Sequence, residues 1–264
     1  MKRLRIISLV LFVVVMCTAM YGQSWVQGWT PFDNFNQEFL SPTKWLQTPA
    51  CPYWTQELEC VREIQFGQLR LAVRNYGDPN SNVGVQNGNS ALYFSNPAAI
   101  DGFMSTVVIR RTSATACVAN MGAFANAQAI LAGSFFNNGT YDVWAFLTMG
   151  HDPSMDKGFV WANLLLQRQP GGSQDSVDLG GFYVGETVIA ELEWDKLNHR
   201  FFARLVRTKT GEVFQQFLPY TDSDTAPPSA PQRLLGVSSY PPNCVGVRTW
   251  AGTEATFDNV MIKK

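Results

Sequence analysis

The chain has 264 residues, of which 20 are basic and 21 acidic, and 13% are aromatic. This near-neutral balance leaves no basic surface for nucleic acid or an anionic membrane, so we expect neither as a partner. All-β sandwiches of about 200 to 250 residues are ordinary, and the length is therefore consistent with one domain after a leader.

The N-terminus has the pattern of a secretory signal peptide. Basic residues precede the apolar run 6–16, and the small residues Cys17 and Ala19 follow it. A run of about 11 residues is too short for a bilayer span, which needs about 20. We predict a signal peptide over 1–22, one mature domain over 23–264, and no membrane insertion after cleavage. The expected location is secreted: periplasmic, cell-surface or extracellular.

Four cysteines remain in the mature chain: Cys51, Cys60, Cys117 and Cys244. No CxxC motif or histidine cluster accompanies them, which favours two disulfides over a metal site in an exported protein. Three pairings can be drawn, and we favour Cys51 with Cys60 and Cys117 with Cys244. In the chain-entropy treatment these bonds contribute about 2.5 to 3 and about 4 to 5 kcal/mol.

Short stretches of alternating apolar and polar residues follow one another along the chain, separated by turns rich in Gly, Asn and Pro. They predict strands over 68–74, 91–94, 103–111, 141–148 and 159–167, a hairpin over 187–206, and an edge or closing strand at the C-terminus with Phe257 and Val260 toward the core. No stretch predicts a helix of normal length. The fold class is therefore all-β, a two-sheet antiparallel β-sandwich of the jelly-roll type.

The hairpin has the clearest pattern. Its first strand alternates apolar residues with a second, more polar set: Val188, Ala190, Leu192 and Trp194 against Ile189, Glu191, Glu193 and Asp195. We expect one apolar face and one wet face, with the Trp194 ring in the core beside the turn.

Several residues on or beside loops are candidate ligand-binding residues: Tyr53 and Trp54 in the loop between Cys51 and Cys60, and Arg74, Tyr76 and Asn87 farther on. Aromatic faces can stack on the C–H surface of a sugar, and Arg or Asn can hydrogen-bond its hydroxyls. A structural role is the alternative for each. Asp33 and Asn34 are interpreted as turn formers, with ion or ligand binding as their alternative.

Three phrases carry a resemblance to a known family: FDNFN with Leu40 and Trp45, ELEWDKLNHRFFARL, and ATFDNVMI near the end. Together they resemble the concanavalin A-like lectin/glucanase superfamily, in the bacterial secreted form related to laminin-G-like domains. The resemblance implies two curved sheets in a jelly roll, with carbohydrate or protein bound by loops or the concave face. It also implies a structural Ca²⁺ in some members, for which Asp33 and Asp258 are the matching carboxylates, since the chain ends meet in this fold.

Catalytic members of that superfamily carry Glu-x-Asp-x-x-Glu or Glu-x-Asp-x-Glu on one strand, and the nearest stretch here is Glu191, Glu193 and Asp195. Side chains two apart on a strand lie roughly 6.5 to 7 Å apart at their stems, which is compatible with a retaining glycosidase. The residue types depart from the pattern, however. Our hypothesis is a secreted, non-catalytic module that binds a polysaccharide or glycan. The alternatives are a glycoside hydrolase using Glu191 and Glu193, and a structural or adhesive protein with protein partners.

Overall fold

The computed structural model describes residues 28–46, 58–120, 126–151 and 158–264. These residues contain fourteen strands and three single-turn 3-10 helices, at Pro97–Ala99, Val118–Asn120 and Lys196–Asn198. The strands are β1 Thr30–Asp33, β2 Glu59–Gln65, β3 Gln68–Tyr76, β4 Gly88–Tyr93, β5 Gly102–Ala114, β6 Asn126–Asn137, β7 Asp142–His151, β8 Phe159–Gln169, β9 Gln174–Tyr183, β10 Thr187–Asp195, β11 Arg200–Arg207, β12 Val213–Pro219, β13 Gln232–Tyr240 and β14 Trp250–Lys263. Within the described ranges, no helix has the length and apolar character needed to cross a membrane.

The strands form two antiparallel sheets. The eight-stranded sheet has the order β12-β11-β10-β5-β14-β3-β2, with β1 paired to β14, and the six-stranded sheet has the order β4-β13-β6-β7-β8-β9. The predicted two-sheet antiparallel sandwich of jelly-roll type is therefore confirmed.

The hydrophobic core lies between the two sheets because each strand alternates its side chains across the sheet plane. In β3, Leu69, Leu71 and Val73 are buried in this core, and Arg70 and Arg74 lie on the opposite side, as the alternation predicts. Strands of the six-stranded sheet supply the facing layer, including the fully buried core positions of β7 and β8. Each Å² of apolar surface removed from water stabilises the folded state by about 25 cal/mol, and this burial is the main contribution that favours folding.

The predicted hairpin is formed by β10 and β11, with Val188 opposite Arg207 and Asp195 opposite Arg200. Trp194 packs against the core as expected, stacks on Phe136 at 5.4 Å, and donates its indole N–H to the hydroxyl of Tyr220 at 2.8 Å.

The expectation of a wet face on this hairpin is wrong at its centre. Glu191 is only 3% exposed and forms an ion pair with Arg204, which lies directly opposite it on β11. A charged side chain is tolerated in such a place only when it is paired, and the adjacent strand supplies the partner.

The C-terminal strand was expected to be an edge or closing strand, and the expectation of an edge is wrong. β14 lies between β5 and β3 in the middle of the eight-stranded sheet. The inward positions of Phe257 and Val260 are confirmed, since both are buried in the core. Strand order depends on pairings between residues far apart in sequence, and a local pattern of alternation does not contain that information.

The chain ends meet through β1 and β14, where Asp33 lies opposite Val260. The Asp33 carboxylate accepts hydrogen bonds from the backbone N–H of Phe35 at 3.0 Å and from the indole N–H of Trp45 at 2.7 Å. The first bond holds Phe35 at a φ of 50°, a left-handed conformation that a bulky residue rarely adopts. Asp33 is thus a turn former, and it also anchors a fully buried tryptophan.

A disulfide joins Cys117 to Cys244, as predicted. The two residues are 127 apart in sequence, so in the chain-entropy treatment the bond contributes about 5 kcal/mol. Cys60 is disulfide-bonded as well. Its predicted partner Cys51 lies outside the described residues, as does the predicted signal peptide.

An ion pair connects the two sheets: Arg168 on β8 binds Asp222, which follows β12. The guanidinium donates from Nε to Oδ1 at 2.9 Å and to Oδ2 at 3.1 Å, and from Nη2 to Oδ2 at 2.6 Å. This hydrogen-bonded ion pair lowers the pKa of Asp222 below its ordinary value. The pair connects a strand of one sheet to the chain leaving an edge strand of the other.

We predict that Asp33 and Trp45 are energetically coupled. Asp33→Ala should lower the free energy of unfolding by about 2 kcal/mol, because it leaves the buried Trp45 N–H without an acceptor and removes the turn bond to Phe35. The loss should be smaller by about 1 kcal/mol in a Trp45→Phe background, which has no N–H to satisfy. Urea denaturation of the four proteins measures this difference, and strictly additive effects would contradict the coupling.

A second prediction concerns acid. The depressed pKa of Asp222 means that its stabilising contribution is present above the ordinary Asp pKa of about 3.9 and is lost as the pH falls through the folded value. Asp222→Asn should cost about 1 to 3 kcal/mol at pH 7, and its stability should decline less than that of the wild type between about pH 5 and pH 2. Chemical denaturation over this pH range tests the expectation, and parallel declines would refute it.

Candidate functional site

Of the five predicted ligand-binding residues, the structure brings two together. Arg74 and Tyr76 lie two apart on β3, on the side of the eight-stranded sheet that faces away from the core. Asn87 is exposed but precedes β4, a strand of the other sheet. Tyr53 and Trp54 lie outside the described residues, and their predicted role stays a prediction.

Arg74 and Tyr76 belong to a network of charged groups. Arg74 donates from Nε to Glu59 at 2.9 Å, and this hydrogen bond is the main reason that the pKa of Arg74 is raised. The guanidinium groups of Arg74 and Arg248 lie 5.7 and 4.6 Å from the centre of the Tyr76 ring. Both distances are within the range of cation–π attraction, so two cations lie close to the ring.

A cleft of about 480 Å³ opens beside this network on the outer side of the eight-stranded sheet. We call it the arginine cleft. Its lining includes Glu59, Arg70, Arg74, Arg111, Trp250 and Glu254. Small residues also line it, with Ala72 on β3, Gly252 on β14 and Ser113 on β5. A cleft of this size falls within the range that holds small ligands.

The two carboxylates matched to calcium have different surroundings. Both oxygens of Asp33 accept hydrogen bonds from N–H groups, and the ammonium of Lys44 lies 3.7 Å away. Asp258 accepts from the backbone N–H of Asn259 at 2.7 Å. Calcium requires six to eight oxygen ligands, and the described residues contain no group of three or more His, Cys, Asp or Glu side chains suited to a metal. These surroundings fit structural carboxylates better than calcium ligands, and the calcium site stays a prediction.

The acidic residues of β10 are each paired with a cation. Glu191 pairs with Arg204, the ammonium of Lys263 lies 2.6 Å from Glu193, and Asp195 accepts from Arg200 at 2.8 Å. Burial raises the pKa of Glu191, and the charge of Arg204 opposes that effect. A catalytic carboxylate must contact the substrate, whereas the Glu191 side chain is 4% exposed and already bound. This geometry favours a structural role for the pair.

A second surface was not predicted from the sequence. On the outer side of the six-stranded sheet, aromatic side chains project from three neighbouring strands: Trp144 and Phe146 from β7, Phe159 and Trp161 from β8, and Tyr183 from β9. We call these five residues the aromatic face. The Trp144 and Phe146 rings are stacked at 5.8 Å, and Phe159 lies 5.8 Å from Trp161 and 5.4 Å from Tyr183.

The aromatic face consists of two patches with polar groups between and beside them. Phe146 lies opposite Leu165, and Leu165 is four residues from Trp161 along β8. At about 3.3 Å per residue, the two patches are roughly 13 Å apart. Thr148 and Asn163, which lie opposite one another, occupy the outward positions between them.

An amide network adjoins the first patch. Trp144 lies opposite Gln167, whose amide donates to Gln174 at 2.8 Å and accepts from Gln169 at 2.9 Å. Amide groups both donate and accept, so the network can rearrange to satisfy a hydroxyl of either polarity.

The second patch contains glycines on both sides of its tryptophan. In the sheet register, Gly150 on β7 and Gly181 on β9 are the neighbours of Trp161. The Phe159 ring fills the space above Gly181, and the side chains of Gln128 and Asn126 adjoin Gly150. Trp161 is partly exposed, so part of its ring is open to solvent.

The centre of the aromatic face carries no charged side chain. Over 126–134, 144–150 and 159–167, the outward-facing positions of β6, β7 and β8 contain no Asp, Glu, Lys or Arg. On the neighbouring strand β9, Asp178 is exposed and lies opposite Asn163, so the charge beside the face is acidic. The sequence held a signal for this surface, because apolar residues occupy nearly every position of VWAFL in β7 and FVWA in β8. A strand with one wet face would show polar residues at alternate positions, so an unbroken run indicates two apolar faces.

Comparison with known proteins adds little beyond the fold class. The sequence matches no protein-family model and no curated protein. Among solved structures, the winged bean acidic lectin complexed with methyl-α-D-galactose shares 12% identity with a TM-score of 0.44, over 89% of this chain and 98% of the lectin. Lectin II from Ulex europaeus shares 10% with a TM-score of 0.42, over 87% and 97% of the two chains.

A peptidase is among the similar structures as well. Scytalido-glutamic peptidase, solved with a transition state analog inhibitor, shares 15% identity with a TM-score of 0.33, over 58% of this chain and 64% of the enzyme. At such values the likenesses carry no inference about what this chain binds or whether it is an enzyme.

The buried pair on β10 and β11 gives a prediction that separates structure from catalysis. Glu191→Gln should lower the free energy of unfolding by about 3 kcal/mol, because it leaves the Arg204 charge buried without its counter-ion. Replacing both residues, as Glu191→Met with Arg204→Met, should restore most of that loss. Chemical denaturation of the single and double variants measures both effects. A Glu191→Gln protein as stable as the wild type would contradict the structural role.

Proposed function

We propose that this chain is a non-catalytic module that binds an uncharged polysaccharide on the aromatic face. One observation carries the proposal: two aromatic patches on the outer side of a sheet are separated by polar side chains, and no Lys or Arg lies among the outward positions of 126–134, 144–150 and 159–167. An apolar surface of this kind on a soluble protein usually marks a binding site.

The chemistry of the surface suits a chain of sugar rings. The C–H faces of a sugar are apolar and can stack on Trp144 or Trp161, where apolar area is removed from water. The ring edges carry hydroxyls, which need both donors and acceptors. The amides of Asn163 and Gln167 supply both kinds of group.

The charge distribution of this face supports an uncharged ligand. An acidic polysaccharide would meet no counter-ion in the centre of the face and would be repelled by the exposed Asp178, which lies opposite Asn163. A neutral polysaccharide loses only hydroxyl hydration, which the amides of the surface can replace. The roughly 13 Å between the patches further favours an extended ligand that contacts both over a single sugar.

Binding without cleavage is the form of this proposal that the geometry favours. Glu191 and Glu193 lie on the eight-stranded sheet, whereas the aromatic face is on the other sheet. Each of the two glutamates is engaged by its own cation. A glycoside hydrolase would need two carboxyl groups flanking the bound sugar bond.

We also propose that the protein is exported. The predicted signal peptide motivates this, and the Cys117–Cys244 disulfide is of a kind that persists in oxidising compartments. A glycan partner outside the cell is consistent with that location.

We expect Trp161→Ala to weaken binding to a neutral polysaccharide by about tenfold or more, since large aromatic side chains dominate such contacts. Trp161→Phe should retain much of the affinity because a ring remains. Isothermal titration calorimetry against soluble neutral β- and α-glucans, with reducing ends assayed in the same samples, measures binding and cleavage together.

Phe39→Ala is the matched control, because Phe39 is 75% exposed and lies outside both sheets. Equal losses in the Trp161 and Phe39 variants would contradict a specific site on the aromatic face. Release of reducing ends would overturn the non-catalytic form. The wild type could instead bind no neutral glycan and sediment as a dimer, with Trp161→Ala sedimenting as a monomer. That result would overturn the glycan proposal and identify the aromatic face as a contact between two copies of the chain.

A further inference from the structure

The arginine cleft differs chemically from the aromatic face. Two neighbouring rows of residues run across the strands here. In one row Glu59 lies opposite Arg74, and in the other Glu254 lies opposite Arg111. A small residue stands in each row, Gly252 opposite Arg74 and Ala72 opposite Glu254, and both line the cleft. The proposed neutral-glycan surface on the opposite sheet accounts for none of these groups.

The cations of the cleft are not equally neutralised. Arg70 bonds Glu63 at 2.6 Å and Glu254 at 2.8 Å, and Arg74 is held by Glu59. Arg111 lies 3.9 Å from Glu254, a carboxylate already engaged by Arg70, and its side chain is 86% exposed. Arg111 is therefore the guanidinium best placed to receive an anion from solvent.

A flat apolar surface lies at one end of the same cleft. Trp250 is 38% exposed and lies opposite Tyr76 in the sheet, on the strand next to β3. The Tyr76 ring carries the Arg248 guanidinium on its face, which adds a further positive group beside the indole. The cleft therefore combines a stacking surface with an excess of positive charge.

We propose that the arginine cleft binds a sugar ring carrying an acidic group, either a carboxylate or a sulfate. The acidic group pairs with the Arg111 guanidinium, whose planar fork matches two oxygens at once. The sugar ring stacks on Trp250, and its hydroxyls donate to the carboxylates of Glu59 and Glu254. This site is separate from the aromatic face, and the proposal does not depend on the neutral-glycan function.

The sequence offers a matched control for the charge. Arg110 is adjacent to Arg111 and is also exposed, but it does not line the cleft. Arg110→Gln and Arg111→Gln remove the same charge one residue apart. A cleft site predicts that only the second variant loses affinity, whereas a diffuse electrostatic attraction predicts equal losses.

The test is affinity electrophoresis and calorimetry with three soluble polymers: polygalacturonate, a sulfated dextran and unmodified dextran. EDTA is present throughout, so that divalent cations cannot bridge the acidic groups to the protein. We expect the wild type to bind at least one of the acidic polymers, with affinity that falls as salt is added. Arg111→Gln should weaken this binding by about tenfold, as should Trp250→Ala, while Arg110→Gln leaves it unchanged.

Trp161→Ala separates this inference from the proposed function. It should leave acidic-polymer binding unchanged while it weakens binding to neutral glycans. The proposal is overturned if neither acidic polymer binds, if Arg110→Gln and Arg111→Gln lose affinity equally, or if binding survives both Arg111→Gln and Trp250→Ala. Because the Arg111 side chain is mostly exposed, its variant should unfold at the wild-type temperature, which excludes misfolding as the cause of a loss.

Discussion

The antiparallel pairing of β14 with β5 is the interaction on which the larger sheet depends. β14 extends from Trp250 to Lys263 and also pairs with β3 and β1, so it joins segments from the first half of the chain to the last residues. Its inward side chains, among them Phe257 and Val260, are fully buried in the core. Trp250 and Glu254, on the outward side of the same strand, line the arginine cleft. The pairing register of β14 with its neighbours therefore determines both which side chains pack in the core and which line the cleft.

The outer sides of the two sheets differ in the chemistry that they offer a ligand. On the six-stranded sheet, the outward side of the central strands carries aromatic rings and amides, where stacking and hydroxyl hydrogen bonds would provide the affinity of the proposed glycan site. On the eight-stranded sheet, guanidinium and carboxylate groups line a cleft together with small residues. The core between the sheets keeps the two proposed sites apart, so ligands of different charge would not compete for one surface.

The sequence predicted what depends on local alternation and missed what depends on the neighbours of a strand. Leu69, Leu71 and Val73 were correctly placed in the core by period-2 alternation alone. Glu191 follows the same pattern, yet it is buried, because its environment depends on Arg204 from β11. Among the candidate site residues, Arg74 and Tyr76 do lie together. Trp161 was predicted only as part of a strand, because a continuous apolar run does not indicate which side of the strand faces solvent.

The position of β14 has a consequence for how the protein folds. Its partners lie far away in sequence, since Ile262 pairs with both Thr30 and Phe103. Until these distant segments meet, β5 and β3 have no strand between them and the larger sheet is open along its centre. Contacts between residues so far apart in sequence slow folding, so we expect the larger sheet to form late.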